Sequence, residues 1–282
     1  MSVRIIIDST ADVADELRER FVVLNMIVRF GKEEFIDGVN LSRREFYERL
    51  IECDALPTTS QATPYDFGEC FRKVVDAGDS AVALTLSSKL SGTYQSAVTA
   101  AQEFPGRIYV VDSLNAALGS GVLAERALQM ADAGLSAAEI ASRLEIERAD
   151  VRLVALLDTL EYLRRGGRIS RTTAIAGELL SIKPVICVRD GAVEILGKAR
   201  GSRRGNNLLA QEIERAGGVD FDKPVLLGYS GLSDALLRKY QQDSAALWEG
   251  HTDELRATLV GGVIGTHAGP GAIAAAFFCK RR

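Results

Sequence analysis

AVALTLSSKLSGTYQSA, residues 81–97, begins as a strand and ends as a helix, and the passage between the two is built from hydroxyls and glycine. Ala81 to Leu86 is a short apolar run, and Gly92 to Phe104 has helical spacing. A strand that hands over to a helix is the unit of an open α/β sheet, where such loops gather at the carboxyl edge of the strands and bind ligands. Two more loops of this kind are DSTAD, Asp8 to Asp12, and PTTSQATP, Pro57 to Pro64. Hydroxyls and helix-opening amides hold a carboxylate or phosphate without a metal or a cationic side chain, so an anion-headed small molecule at a sheet edge is the expected ligand. Ile5 to Ile7 and Arg107 to Val111 read as further buried strands. Asp12 to Phe21, Arg43 to Cys53, Pro64 to Ala77, Gly121 to Ala133 and Ser136 to Ile146 read as helices. Thr63 before Pro64, with Asp66 three residues on, marks a helix start, and Ser9 with Asp12 repeats that spacing. The alternation predicts a parallel, doubly wound α/β sheet.

The second half has another pattern. Leu153 to Leu157 reads as a strand and Thr159 to Arg165 as a short helix ended by Gly166-Gly167. Ile182 to Val188 and Ala192 to Lys198 read as a hairpin turning at Asp190-Gly191. Asn206 to Ala216 and Ser233 to Ala245 are helical, with Pro224 to Tyr229 a strand between them. Together they predict a smaller α+β domain with an antiparallel sheet, which divides the chain near Asp150–Arg152 into residues 1–151 and 152–282 with the ligand between the two. Thr258 to Phe278 is nearly uncharged and as long as a membrane span, but Gly269-Pro270-Gly271 would break a spanning helix. Two buried strands around a tight loop are expected there, and no transmembrane segment.

Bulk properties narrow the function. The 282 residues can form two domains, and 47% hydrophobic with 26% charged residues is an ordinary globular composition. A net charge of -4 gives no general attraction to nucleic acid, which is not an expected partner. Cys53, Cys70, Cys187 and Cys279 are scattered, so neither a zinc site nor a disulfide framework is indicated, and a cytoplasmic location with reduced thiols is expected. The start MSVRIIIDST has no signal-peptide pattern.

Individual groups carry more than one reading. Thr59-Ser60-Gln61 stands just before the helix near Pro64 and suits an oxyanion or a self-capped turn. In SSKLSGT, Ser87 to Thr93, Gly92 permits close backbone approach, so Ser91 and Thr93 can face a ligand while Ser91 also suits the helix N-cap. Asp8 and Asp112-Ser113 end strands, where carboxylates act as bases, metal ligands or caps. No second acidic group stands at a recognisable spacing, so capping is favoured and no metal is expected. His267, in VIGTHAGPG, reads as a donor to a ligand oxygen, as the orienter of a serine, or as a satisfied core histidine. A dyad with Ser91 lacks a GxSxG elbow and an acidic orienter. Arg164 and Arg165 close a helix, and Arg168 beyond them is placed near the head-group or a phosphate. Lys198, Arg200, Arg203 and Arg204 form a local basic run, either a docking surface or a solvated loop.

DSTAD, PTTSQATP, SSKLSGTYQSA, TLEYLRRGGRIS, LLSIKP, GKAR and IGTHAGPGA, in this order from Asp8 to Ala272, together resemble the DegV family. The resemblance implies a two-domain bacterial protein that binds a long-chain fatty acid and has no cofactor or catalytic residue of its own. It implies further that the protein acts as the acyl-carrying component of a fatty acid kinase, presenting the carboxylate to a separate kinase subunit for conversion to an acyl phosphate. Thr59 of PTTSQ and Ser91 of LSGT correspond to the family's carboxylate-binding residues, flanked by Ser60, Gly92 and Thr93. His267 corresponds to the histidine of GTHxGPG, and Arg168 to the arginine of GGRIS near the head-group. The basic run would dock the kinase, and contact with a membrane would be transient. Ala62 stands where proline is usual, and glycines interrupt GKARGSRRG. The alternative is an enzyme acting on a small carboxylate or phosphate substrate through Ser91 or His267.

Overall fold

The computed structural model describes residues 2–170 and 182–280; Leu179 to Ser181 of LLSIKP, and Arg281 and Arg282, lie outside the described residues. From the amino end run β1 (Val3–Asp8), β2 (Val22–Leu24), β3 (Ile27–Phe30), β4 (Glu33–Ile36), α1 (Arg43–Glu52), β5 (Thr58–Ser60), α2 (Pro64–Asp76), β6 (Ser80–Thr85), α3 (Thr93–Ala101), β7 (Ile108–Asp112), α4 (Ala117–Asp132) and α5 (Ala137–Glu147). There follow β8 (Val151–Leu156), α6 (Glu161–Arg165), β9 (Ile182–Arg189), β10 (Ala192–Arg200), α7 (Ser202–Arg215), β11 (Leu226–Tyr229), α8 (Ala235–Asp243), β12 (Arg256–Leu259), α9 (Gly262–Ala268) and β13 (Ile273–Phe278).

One sheet has the order β2-β1-β6-β7 and is parallel throughout. Its side chains alternate with period two: Ile5, Ile7, Val82 and Leu84 face α4, and Ile6, Ala81 and Ala83 face α2 and α3. Helices therefore lie on both faces, the doubly wound arrangement that the sequence predicts. A second sheet, β10-β9-β8-β13-β11-β12, is antiparallel at every pairing except β11 with β12. Val154, Leu156, Leu227 and Phe277 on its outer face pack beneath α7 and α8, whereas Leu153, Ala155, Ala274 and Phe278 face inward. Helix α4 lies between the two sheets and contacts both, so its apolar character on nearly every side follows from burial.

Several segments differ from expectation because a tertiary partner overrides the local pattern. Asp12 to Phe21 is not an α-helix; only Asp15–Arg20 forms a 3-10 turn. The Ser9 and Asp12 side chains do not cap a helix of their own segment. Ser9 Oγ accepts Met26 N–H at 3.1 Å, and Asp12 Oδ1 accepts Gly261 N–H at 2.8 Å. PTTSQ is not a loop, since Thr58–Ser60 pairs with β3 in a three-stranded antiparallel sheet, β4-β3-β5. The β3–β4 hairpin pairs Phe30 with Glu33 across Gly31-Lys32, with Gly31 in the left-handed region at φ 57° as a two-residue turn requires. Between β12 and β13 stands helix α9, not a bare loop. Gly262 and Gly265 let it lie against α1, since a Cβ at Gly265 would strike Phe46 and Tyr47. GKARGSRRG is likewise not a solvated loop: Lys198 and Arg200 end β10, and Arg203 and Arg204 open α7. By contrast, Thr63, Pro64 and Asp66 form the expected capping box, and Asp190-Gly191 turns the expected hairpin.

The start of α9 is held by buried acids. Asp12 is fully buried; its Oδ1 also faces Arg43 Nη2 at 3.6 Å, and its Oδ2 has no partner among the described residues. Asp37 Oδ1 accepts Gly262 N–H at 3.1 Å. Burial raises the Asp12 pKa to about 7 against the opposing pull of Arg43 and the Gly261 N–H, and burial raises Asp37 as well. Since the folded value lies above the unfolded value near 3.8, the native state holds a proton that the unfolded chain gives up. This contribution to stability is complete below about pH 4 and is lost as pH rises through about 7. Asp12→Asn, which keeps the acceptor for Gly261, should flatten the fall in urea midpoint across that interval, leaving the residual slope of Asp8 and Asp37. Equal slopes in the two proteins would show that Asp12 is ionised throughout.

Candidate functional site

The loops at the carboxyl edge of the parallel sheet are tied by the aspartates that end β1 and β7. Asp8 Oδ2 accepts Leu86 N–H at 2.8 Å, while its Oδ1 accepts Thr10 N–H at 3.0 Å and the Thr10 hydroxyl. Asp112 accepts the N–H of Ser88 at 3.2 Å and of Leu114 at 2.9 Å. Both carboxylates thus hold loops, the capping role. Burial raises the Asp8 carboxyl above the ordinary range, and its bonds from Thr10 and Leu86 pull the other way. Ser87 Oγ donates to Gly191 O at 2.7 Å, joining the loop after β6 to the β9–β10 turn. Leu114 and Ala117, at φ 49° and 51°, hold left-handed conformations that cost a non-glycine residue about 1–2 kcal/mol each.

Between these loops and the second sheet lies a cavity of about 240 Å³. Its walls are mostly aliphatic: Leu118 from α4, Leu153, Ala155, Ile186 and Ala274 from the second sheet, and Val263 and Ile264 from α9. At one end Thr59, Ser91, Gly92, Arg168 and His267 line it together, brought from four separate parts of the chain. Ser60 and Thr93 are not lining residues. On β5 the side chains alternate, so Ser60 points away from the face that carries Thr59 and Gln61. Thr93 is buried and its Oγ1 lies 2.9 Å from Ser91 Oγ, which also accepts Thr93 N–H at 3.3 Å. Lys198, Arg200, Arg203 and Arg204 are exposed and do not reach the cavity.

His267 stands in the last turn of α9, with Nε2 3.2 Å from Thr59 Oγ1 and with Nδ1 buried and unpartnered among the described residues. Gly166 stands close to the ring, where a Cβ would strike Nδ1. Burial, with Arg168 adding to it, lowers the His267 pKa to about 4, so the ring is neutral at pH 7. Arg168 is half-buried; its Nε donates to Leu90 O at 3.2 Å and its Nη1 to Gly166 O at 2.6 Å, which fixes the guanidinium across the loop. The serine and histidine do not form a dyad, because Ser91 bonds Thr93 and His267 bonds Thr59. Chemically the end of the cavity offers uncharged hydroxyl and amide donors and one tethered cation, a set suited to an oxyanion.

Gln61, Thr10 and Ser230 also line the cavity. Gln61 lies against Gly92, where a Cβ would strike its Oε1, and its Nε2 donates to Ser96 Oγ at 3.4 Å. The signal that marks Gln61 in the sequence is its spacing of two from Thr59. Thr10 and Ser230 have no comparable signal, since their place depends on how loops and sheets meet.

The model of the family described as "Uncharacterised protein, DegV family" matches residues 2–280. A DegV domain-containing protein of Caldanaerobacter subterraneus subsp. tengcongensis is 34% identical over 280 residues, covering 98% of each chain. A fatty acid-binding protein of Thermotoga maritima is 30% identical over 289 residues, covering 97% of this chain and 96% of that one. Among solved structures, that of a fatty-acid-binding DegV family protein from Thermus thermophilus superposes with a TM-score of 0.86 at 32% identity, over 99% of this chain and 100% of the other. With these matches running end to end through the loops that build the cavity, the chain belongs to the DegV family.

Proposed function

We propose that this chain is a fatty-acid carrier that buries an acyl tail between residues 1–151 and residues 152–282 and presents the carboxylate to a separate kinase subunit for conversion to an acyl phosphate. The observation that carries the reading is a cavity aliphatic along its length with neutral oxyanion donors gathered at one end. Each methylene taken from water contributes about 0.8 kcal/mol, so a long tail supplies on the order of ten kcal/mol before ordering costs are subtracted. The carboxylate is the expensive part, and it is tolerated only where several donors receive it. Thr59 and Ser91 supply hydroxyls, and Gly92 brings backbone close. With His267 neutral and Nε2–H donating to Thr59 Oγ1, the Thr59 proton is directed at the ligand. The buried Nδ1 then carries a lone pair, which costs less to leave unpaired than an N–H would. Arg168 stands beside the head-group without neutralising it by a full ion pair. Four free thiols fit the reduced cytoplasm, where such a carrier would meet its kinase.

Thr59→Ala/Ser91→Ala should weaken fatty-acid affinity at least tenfold, since hydrogen bonds to a charged group are worth about 1.5–3 kcal/mol each. Displacement of a fluorescent fatty acid measures it, and unchanged affinity in a protein of unchanged melting temperature removes these residues from the site. For His267 the folded pKa lies below the ordinary 6.5, so the stability it contributes is lost as pH falls from about 6.5 toward 4. Its imidazole NMR signals, one of two histidine sets in the chain, should keep the neutral pattern down to about pH 5. A transition near 6.5 would place the ring in water. In a mixture with ATP and a bacterial fatty acid kinase subunit, acyl phosphate formation should require this chain and fall with lipid occupancy in the double variant. Formation at an undiminished rate without the chain would leave it a lipid binder alone.

A further inference from the structure

The register of the second sheet arranges the cavity wall in cross-strand rows. Leu157 and Ala272 lie nearest the polar end, because α6 after β8 ends at Gly166 against His267, and the turn before Ala272 follows α9. Two residues further along, about 6.8 Å, the next row sets Ala155 beside Ala274 on one side and Ile186 on the other. The row also reaches Gly228, but Leu118 occupies the space above that glycine, so the wall is closed there. The third row is branched except for Ala276 on β13, which pairs with Leu153 and does not line the cavity. Val188 pairs with Val193, and the register that sets Val154 opposite Cys187 carries Leu153 to Val188. All three line the cavity, whereas the next inward pair, Val151 and Phe278, is buried in the core and does not.

From this graded wall, with the fatty-acid reading as its basis, we propose that Leu153, Val188 and Val193 form the end stop for the tail and set the acyl length this chain selects, while Ala155 and Ala274 hold the passage open at mid-tail. Small side chains in the middle row admit methylenes over β8 and β13. Branched ones in the last row meet the terminal methyl. Each carbon that fits adds about fourfold in affinity, and each that does not must displace a packed side chain.

The test is a competition among saturated fatty acids of graded length, with occupancy read by native mass spectrometry on the full chain. Leu153→Ala/Val188→Ala should move the preferred length upward by two or more carbons, with an affinity ratio about fourfold per added methylene. Ala155→Leu, which brings the stop one row closer, should shorten it by about five methylenes, the span of one row. Val193→Ala, at a partly exposed strand position, is the mild variant if the double one does not fold, and should shift the profile in the same upward direction. Lipid-loaded variants with an unshifted length profile overturn the proposal. Wild-type protein that takes up no fatty acid instead overturns the carrier reading, and the end stop falls with it.

Discussion

Asp12 Oδ1 and Asp37 Oδ1 accept the N–H groups of Gly261 and Gly262, and α9 hangs from those two bonds. The helix is seven residues long, too short to hold its place by its own hydrogen bonds, so its position is imposed from outside. The acids come from the loop after β1 and from the segment after β4, which means that the parallel sheet and the small three-stranded sheet both determine where α9 starts. Glycines at 262 and 265 then let it settle against Phe46 and Tyr47, and Tyr47 donates to Val260 O at 3.1 Å. The far end of the same helix carries His267, so the contact with Thr59 on β5 is the outcome of packing two turns away. Hydrogen bonds to charged acceptors contribute about 1.5–3 kcal/mol, and here the burial that raises both carboxyls works against that gain.

The same restraint on charge governs the polar end of the cavity. A lysine or a free arginine there would hold an anion strongly, but burying an unpaired cation is costly whenever the anion is away. Hydroxyls avoid the difficulty because Ser91 and Thr93, or Thr59 and His267, bond each other when nothing else is offered. Arg168 obeys the same logic by spending two donors on Leu90 O and Gly166 O. The neutral imidazole completes the pattern, since its low pKa follows from being enclosed next to a cation.

Three of the four parallel strands, the helices beside them and the Thr63 cap were legible in sequence because their signals are local: apolar runs, helical spacing and a hydroxyl three residues before an acid; β2, only three residues long, was not. Thr59, Ser91, Gly92, Arg168 and His267 stood out through motif chemistry, and the structure gathers all five at one end of the cavity. What the chain did not disclose locally was α9, where Gly262 to Ala268 has the small residues of a loop and becomes helical because Asp12 and Asp37 receive its amides. The same holds for Asp12 to Phe21, whose helical spacing loses to a buried aspartate with a distant partner. β5 was hidden by its hydroxyls, which favour turns in isolation and pair with β3 once that hairpin exists. Ser60 and Thr93 share residue type with their neighbours and differ only in direction, which strand alternation decides for Ser60.

Strand β13 reads IAAAFF, a poor composition for the interior of a sheet, where β-branched and aromatic side chains pack best. Ala275 faces the outer helices, but Ala274 faces the cavity, next to Ala155 on β8. Valine or leucine at those two positions would suit a sheet interior better and would narrow the space between the sheet and α4. The space is costly. Side chains that line such a space forgo the contacts that a filled core would give them, a term that reaches about 24 cal/mol per Å³ where a core cavity stays empty and that weighs against the 5–15 kcal/mol holding a typical domain together. A ligand that filled the space would return that packing, so its binding and the folding of the chain would draw on the same contacts. On the proposed carrier reading, the alanines of β8 and β13 are positions where sheet packing is given up in favour of room for a tail, and the neutral donors at the other end select its head-group.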